Sequence, residues 1–119
     1  MRRNATVAGK VVLITGGASG IGAATGKALA EKGAHVVLLD RTDAVDAVAQ
    51  KLPRRAGNRH QGVRADVTDS ASLATAVHEV IEAYGCLDTV VANAGVAEAG
   101  TVAVSEMDTL ARTVEVNLV

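Results

Sequence analysis

The sequence predicts an α/β fold, a doubly wound parallel sheet with helices on both faces. Continuous apolar, β-branched runs alternate along the chain with segments whose apolar residues recur at helical spacing. The apolar content is Ala, Val, Leu and Ile, with no Phe or Trp and a single Tyr, which suits buried parallel strands under closely packed helices. The order β-α-β-α-β-α-β-α implies right-handed crossovers between neighbouring parallel strands.

The first strand and the first helix lie near the N-terminus. Residues 10–15 form a continuous apolar run that ends at Gly16 and Gly17. Residues 20–32 are predicted to be helical, because apolar side chains recur at i, i+3, i+7 and i+8, namely Ile21, Ala24, Ala28 and Leu29. Gly33 then stands where a glycine commonly follows the end of a helix.

The second strand, the second helix and the third strand come next. Residues 35–40 again read as a buried strand, and residues 42–52 show a weaker helical pattern that stops at Pro53. The polar residues 54–62 predict a loop, which leads into a third strand at about residues 61–65.

The third helix has the clearest helical pattern. Thr68, Asp69 and Ser70 are all suitable N-caps, and the apolar face behind them comprises Leu73, Val77, Val80, Ile81 and Tyr84. A fourth strand is predicted over residues 88–93, followed by a Gly- and Ala-rich loop to about residue 104.

A last helix is predicted after this loop. Ser105 with Asp108 three residues later is a variant of the capping box, and the apolar face comprises Met107, Leu110, Ala111, Val114 and Leu118. The chain contains no repeat, linker or low-complexity segment, so residues 1–119 are predicted to form one domain.

Composition argues against several classes of function. Twelve Lys and Arg against thirteen Asp and Glu give a charge of −1, which favours neither nucleic acid nor a membrane surface as partner. The single Cys86 excludes an internal disulfide and reads as a small buried residue beside Leu87. No signal peptide or membrane span is recognisable, so we expect a soluble, cytoplasmic protein. His35, His60 and His78 lack metal-ligand spacing, and no metal site is predicted.

The segment between the first strand and the first helix is suited to hold a pyrophosphate. From Thr15 to Gly22 it reads Thr-Gly-Gly-Ala-Ser-Gly-Ile-Gly. Glycines permit a tight turn and close approach of the backbone to a ligand, and the helix N-terminus presents free N–H groups and a positive dipole end. No lysine follows the glycines, as a P-loop nucleotidase would require. Taken alone, the glycines fit a purely structural turn at least as well.

Asp40 favours the interpretation of the glycine-rich segment as part of a dinucleotide site. It ends the second strand, eighteen residues after Gly22, where a dinucleotide site places a carboxylate on the adenosine ribose. Such a carboxylate repels a 2′-phosphate and therefore favours NAD over NADP. Two alternatives stay open: Asp40 caps the following helix, or the neighbouring Arg41 accommodates a 2′-phosphate.

Several motifs together resemble the short-chain dehydrogenases/reductases. Thr15-Gly16-x-x-x-Gly20-Ile21-Gly22 is similar to the glycine loop of that family. The other similar motifs, in the family's order, are Asp66-Val67 after the third strand, Gly85-Cys86-Leu87-Asp88 before the fourth, Asn93-Ala94-Gly95 at its end and Val116-Asn117-Leu118 in the last helix. One departure is Ala92, where the family often has a further Asn.

The resemblance implies a Rossmann-type sheet with strand order 3-2-1-4 and an NAD-dependent oxidoreductase. Hydride would pass between NAD(H) and a small carbonyl or alcohol substrate. The implied cofactor-binding residues are Gly16, Ser19, Gly20, Ile21, Gly22, Asp40, Arg41, Asp66, Val67, Asn93 and Gly95. Asn117 is implied to be catalytic, as part of a proton relay through a bound water.

The resemblance also implies residues that this sequence lacks. Family members continue with a strand that carries a Ser and a helix with a Tyr-x-x-x-Lys motif, whose Tyr is the general acid/base. Tyr84 cannot take that role, because Asp88 stands four residues later. General acid/base catalysis contributes about two to four decades in rate, so we expect a truncated chain that binds dinucleotide without turnover.

Other interpretations remain open at the level of sequence. The chain is alternatively a non-catalytic dinucleotide-binding module that acts through a partner. A methyltransferase-like nucleotide binder shares the glycine loop and the acid after the second strand, but the glycine spacing and the Asn93-Ala94-Gly95 motif speak against it. With a fourth strand left at the sheet edge, we also expect self-association through that edge.

Overall fold

A four-stranded parallel sheet forms the centre of residues 6–93, the part of the chain that the computed structural model describes. The elements in chain order are β1 (Val11–Thr15), α1 (Gly20–Glu31), β2 (His35–Asp40), α2 (Val45–Gln50), β3 (Gln61–Arg64), α3 (Ser70–Tyr84) and β4 (Thr89–Val91). The strands stand in the order β3-β2-β1-β4 and all pair in parallel. The predicted fold class and strand order are confirmed. The predicted last helix lies outside the described residues.

The sheet is buried on both faces, because successive side chains of a strand point to opposite sides. On one face Leu13 packs in a cluster with Leu73, Val77 and other residues of α3. On the opposite face Ile14 belongs to a cluster with residues of α1 and α2. Helices therefore cover both faces, which explains why the strands are continuously apolar instead of alternating.

Glycines let the helices lie close to the sheet in a protein that has no Phe or Trp. A Cβ at Gly62 of β3 would lie 2.7 Å from the Cα of Asp46 in α2. A Cβ at Gly26 of α1 would lie 3.0 Å from Leu38 Cδ2 on β2. The sequence contains these glycines but does not indicate which helix meets which strand.

Two helix ends are formed as predicted. Asp69 is the N-cap of α3, and its Oδ1 accepts hydrogen bonds from the amides of Ala71 at 3.0 Å and Ser72 at 3.3 Å. Gly33 follows α1 with a left-handed φ of +92°, which only a glycine adopts without strain.

The helix α2 is shorter than predicted, and the reason is local hydrogen bonding. The hydroxyl of Thr42 accepts a hydrogen bond from the amide of Ala44, and its carbonyl accepts one from Val45. These bonds form a turn before the helix begins. The strand β4 ends early, because the amide of Asn93 donates to the Thr15 hydroxyl at 2.9 Å and not to a backbone carbonyl.

The prediction that Cys86 is buried is wrong. The sequence predicts a buried side chain, whereas the structure places Cys86 at the surface. Gly85 ends α3 in the left-handed conformation, and the chain then turns into β4 so that Leu87, the larger apolar residue, enters the core.

Two side chains tie the predicted loop before β3 to its neighbours, one to the end of α1 and the other to β2, and neither contact was predicted from the sequence. Asn58 is buried, and its amide group donates to the carbonyls of Ala30 and Ala34 at 3.0 and 2.9 Å. Its Oδ1 accepts from the amide of Arg55 at 2.7 Å. His60 is the second anchor: Nδ1 accepts from the amide of Val36 at 3.1 Å.

His60 makes stability dependent on pH in a defined direction. Because Nδ1 accepts from Val36, the ring in this arrangement is neutral with its proton on Nε2, which donates to the carbonyl of Pro53 at 2.7 Å. Protonation of Nδ1 would remove the acceptor for Val36. Burial is the main cause that lowers the pKa of His60 below 6.5. A lowered folded-state pKa gives a stabilising contribution that is complete above pH 6.5 and is lost as the pH falls below it.

We therefore expect the free energy of unfolding to fall between pH 7 and pH 5, with a slope of at most about 1.4 kcal/mol per pH unit for this one proton. His60→Gln should reduce that slope, measured by urea unfolding at each pH. His78→Gln, at an exposed position of α3, is the matched control for the removal of a histidine. An unchanged slope in His60→Gln would contradict the prediction.

Candidate functional site

The predicted site residues that lie within residues 6–93 are gathered at one edge of the sheet, where the carboxyl ends of the parallel strands lie side by side. Thr15 ends β1 and Asp40 ends β2. Asp66 and Asn93 follow β3 and β4 within two residues. Open α/β sheets bind their ligands at this edge. Within the described residues, no group of three or more His, Cys, Asp or Glu side chains that could hold a metal ion is present.

The glycine-rich segment forms a tight loop against the sheet. Gly16 has a left-handed φ of +68°. A Cβ at Gly17 would lie 2.6 Å from the Cβ of Leu38, so this position has no room for a side chain. A Cβ at Gly22 would lie 2.2 Å from the carbonyl oxygen of Gly16. Backbone conformation or packing therefore requires glycine at three positions, namely Gly16, Gly17 and Gly22. Gly20 differs, because a Cβ at that position would meet no atom within 4 Å.

The first turn of α1 has free hydrogen-bond donors. Ser19 is the N-cap residue, but its hydroxyl donates to the carbonyl of Gly16 at 2.7 Å and caps no helix amide. Within the described part of the chain, the amides of Gly20, Ile21 and Gly22 have no protein acceptor. Free amides at the positive end of a helix dipole are suited to bind an anion. The side chain of Ile21 beside them is 74% exposed.

Asp40 lies beside this loop. One carboxylate oxygen, Oδ2, accepts a hydrogen bond from the amide of Ala18 at 3.0 Å, and Oδ1 accepts one from Thr42 at 3.3 Å. The sequence-based alternative that Asp40 caps α2 does not describe this geometry, because the N-cap of α2 is Ala44 and it has no side-chain cap.

Asp66 and its neighbours form a shallow, open groove next to Asp40. The groove is lined by Arg41, Arg64, Ala65, Asp66 and Ser72. Oδ1 of Asp66 accepts from the hydroxyl and the amide of Thr68 at 2.7 and 2.9 Å. These two bonds, chiefly the one from the hydroxyl, lower the pKa of Asp66, and Arg41 adds to the effect. Asp66 is thus held as a carboxylate at the surface of the site.

Two predicted residues take other positions in this region. The side chain of Val67 is buried in the core cluster that packs under α3 and does not line the groove. Arg41 is exposed, and its carbonyl accepts a hydrogen bond from Nε of Arg64 at 3.1 Å. Arg64 in turn forms an ion pair with Asp43, in which both side chains are exposed to solvent.

Asn93 connects the end of β4 to the glycine loop. Its side-chain amide donates to the carbonyl of Gly16 and to the hydroxyl of Ser19, both at 3.4 Å. Thr15 links the same two segments, since its hydroxyl accepts from the Asn93 amide and donates to the Val91 carbonyl. This role of Thr15 was not predicted from the sequence, although a polar residue at the end of an apolar strand is a usable signal. Gly95 and Asn117 lie outside the described residues.

Comparison with known proteins decides the family. The model of the short chain dehydrogenase family matches residues 10–119. The chain belongs to this family. Short-chain dehydrogenases are oxidoreductases that bind a nicotinamide dinucleotide and a small-molecule substrate. The strand order described above is therefore that of a short-chain dehydrogenase.

Individual short-chain dehydrogenases are similar to about three quarters of this chain. Cis-4-hydroxycyclohexanecarboxylate dehydrogenase of Sinomonas cyclohexanicum is 51% identical over 89 residues, which cover 75% of this chain and 35% of that protein. The structure of an NAD+-bound xylitol dehydrogenase superimposes with a TM-score of 0.69 at 33% identity, over 75% of this chain and 34% of the other. NADPH-dependent 3-quinuclidinone reductase of Rhodotorula rubra gives 0.67 at 34% identity, over 72% and 33%. The chain thus spans about a third of the length of these relatives.

No helix among the described residues is long and apolar enough to cross a membrane.

Proposed function

We propose that this chain is the dinucleotide-binding part of an NAD-dependent oxidoreductase that transfers hydride between NAD(H) and a carbonyl or alcohol substrate. The observation that carries the proposal is the position of the Asp40 carboxylate, 3.0 Å from the amide of Ala18 in the glycine loop. An acceptor for ribose hydroxyls and a set of free anion-binding amides thereby lie next to each other at the ligand-binding edge of the sheet.

The described residues are suited to two polar groups of the cofactor, the pyrophosphate and the adenosine ribose. The amides of Gly20, Ile21 and Gly22 are suited to the pyrophosphate, since they have no protein acceptor in the described part of the chain. Asp40 is suited to the ribose hydroxyls, and the groove at Asp66 adjoins it on the side of β3. The cofactor, when bound, supplies or accepts the hydride, and the protein positions it.

The charge at Asp40 is the reason to propose NAD and not NADP. A 2′-phosphate would place a second negative charge next to this carboxylate. Two like charges about 4 Å apart repel by about 1 to 4 kcal/mol, depending on their exposure to water. The exposed Arg41, whose charge acts on the neighbouring Asp66, is the group that would favour the opposite preference.

We expect NAD+ to bind at least about tenfold more tightly than NADP+, which corresponds to about 1.4 kcal/mol. Isothermal titration calorimetry of both cofactors measures the ratio. Arg41→Ala is the matched comparison and should leave the preference for NAD+ in place, because Asp40 determines it. Tighter binding of NADP+, or a selective loss of NADP+ affinity in Arg41→Ala, would show that Arg41 controls the site.

We propose further roles for the residues outside the described part of the chain on the strength of the motif match alone. Gly95 would line the cofactor site and Asn117 would hold a water of the proton relay. The 119 residues contain no Tyr-x-x-x-Lys motif, so we propose that this polypeptide binds dinucleotide without turnover. Proton transfer to the substrate needs such a general acid/base.

A further inference from the structure

We propose that Asp40 also acts as a positioning residue, which holds the glycine-rich loop in its anion-binding shape before any cofactor arrives. This inference rests on the proposed function, because it assigns one carboxylate both to the ribose and to the loop that binds the pyrophosphate. Ribose selectivity and phosphate binding are then coupled through a single side chain.

The Asp40 side chain is attached to a well-anchored strand end. Asp40 is the last residue of β2 and lies opposite Arg64 of β3 in the parallel register. Its backbone carbonyl also accepts a hydrogen bond from the amide of Ala65 at 2.9 Å. A carboxylate on this backbone is therefore held in place independently of the loop that it contacts.

The loop is fastened to β2 at two consecutive amides. The amide of Gly17 donates to the carbonyl of Leu39 at 3.0 Å, and the amide of Ala18 donates to Oδ2 of Asp40 at 3.0 Å. On the other side, the contacts of Asn93 with Gly16 and Ser19 are longer, at 3.4 Å. The bond from Ala18 to Asp40 is therefore shorter than either of the side-chain contacts that Asn93 makes with the loop.

The fastening point determines the orientation of the free amides. Ala18 directly precedes the N-cap Ser19, and α1 begins one residue later. If the amide of Ala18 lost its acceptor, the segment between Gly17 and the helix would have no side-chain brace from β2. The first-turn amides would then lose their fixed direction relative to the strand end at residue 40.

The carboxylate has enough acceptor capacity for both roles. An ionised carboxylate offers about four lone-pair positions, and the described hydrogen bonds use one on each oxygen, for Ala18 and for Thr42. The remaining positions are available to ribose hydroxyls. Asp40→Asn keeps one oxygen that can accept from Ala18 but removes the charge, whereas Asp40→Ala removes the acceptor altogether.

The positioning role is tested without cofactor, by amide hydrogen exchange of the 119-residue protein followed by NMR. We expect the Ala18 amide to exchange about tenfold faster in Asp40→Ala and close to the wild-type rate in Asp40→Asn. The amides of Leu13 and Val37 in the buried strands report global unfolding and should keep their rates in both variants. Unchanged exchange at Ala18 in Asp40→Ala would overturn the proposal. Equal acceleration in both variants would assign the effect to charge and would overturn it as well.

The coupling to ligand binding is tested with two probes, ADP and 2′,3′-dideoxy-ADP, which lacks the ribose hydroxyls. We expect Asp40→Ala to weaken binding of the dideoxy probe about fivefold or more, because the loop is loosened, while Asp40→Asn binds that probe like the wild type. A carboxylate that serves only the ribose would leave the dideoxy probe unaffected by either substitution. If neither probe binds the wild type, the proposed function fails, and the exchange measurement still decides the role of Asp40 in the loop.

Discussion

Gly22→Ala is expected to lower the free energy of unfolding by about 1 to 3 kcal/mol, the usual cost of inserting a methyl group into a filled space. The added Cβ would lie 2.2 Å from the carbonyl oxygen of Gly16 and 3.1 Å from Nδ2 of Asn93. The oxygen belongs to the backbone, which cannot move aside as a flexible side chain can. Helix α1 must therefore shift away from the glycine loop.

The same shift should remove dinucleotide binding, since the free amides of the first turn move with the helix. We expect NAD+ affinity to fall more than about tenfold for a displacement that costs about 1.4 kcal/mol or more. Urea unfolding and calorimetry measure the two effects. Gly20→Ala is the matched control for stability alone: its Cβ would meet nothing within 4 Å, so its unfolding free energy should stay within about 0.5 kcal/mol of the wild type. Wild-type stability and affinity in Gly22→Ala would refute the packing argument.

Asn58→Ala is expected to destabilise the fold by about 2 to 4 kcal/mol, because a buried polar group that loses its partner costs about 1 to 3 kcal/mol. The side chain of Asn58 is 2% exposed and serves three backbone groups. Its removal leaves the carbonyls of Ala30 and Ala34 and the amide of Arg55 without this partner. The loop before β3 would then lose its attachment to the end of α1.

Asn58→Ala, unlike Gly22→Ala, is expected to lower stability without weakening the binding of NAD+. Ala34 immediately precedes β2, so Asn58 lies at the edge of the sheet opposite to Asp40. We expect the folded fraction of Asn58→Ala to bind NAD+ with nearly wild-type affinity, as judged by calorimetry below the unfolding transition. Gln50→Ala, an exposed amide at the end of α2, is the control and should change stability by less than about 0.5 kcal/mol. A stability loss in Asn58→Ala no larger than in the control would disprove the role of this side chain.

The architecture was predictable because it depends on patterns that local sequence carries. Buried parallel strands need continuous apolar runs, and helices need the i, i+3, i+4 spacing, so the alternation of the two determines the fold class. Asp69 and Gly33 were predictable for the same reason, since capping chemistry acts between residues close in sequence. The length of α2 was not, because the Thr42 hydroxyl competes with the helix for the amide of Ala44.

The location of the candidate site also followed from the sequence, but its internal contacts did not. Gly16 to Gly22 and Asp40 each stand at the carboxyl end of a strand, and in a parallel sheet those ends share one edge. That Asp40 accepts the amide of Ala18, or that Asn93 reaches Gly16, depends on the separation and register of β1, β2 and β4.

The sequence by itself therefore determined the element order, the strand order through the family resemblance, and the edge of the sheet at which the candidate site lies. Only the tertiary structure decided which glycines are sterically required. It also showed that Asn58 and His60 anchor a loop that the sequence identifies only as polar. Finally, it placed Cys86 at the surface and Leu87 in the core. The physical reason is the distance along the chain over which each kind of interaction acts. Periodicity and capping act over a few residues, whereas steric fit and the pairing of buried polar groups depend on segments that meet only after the chain has folded.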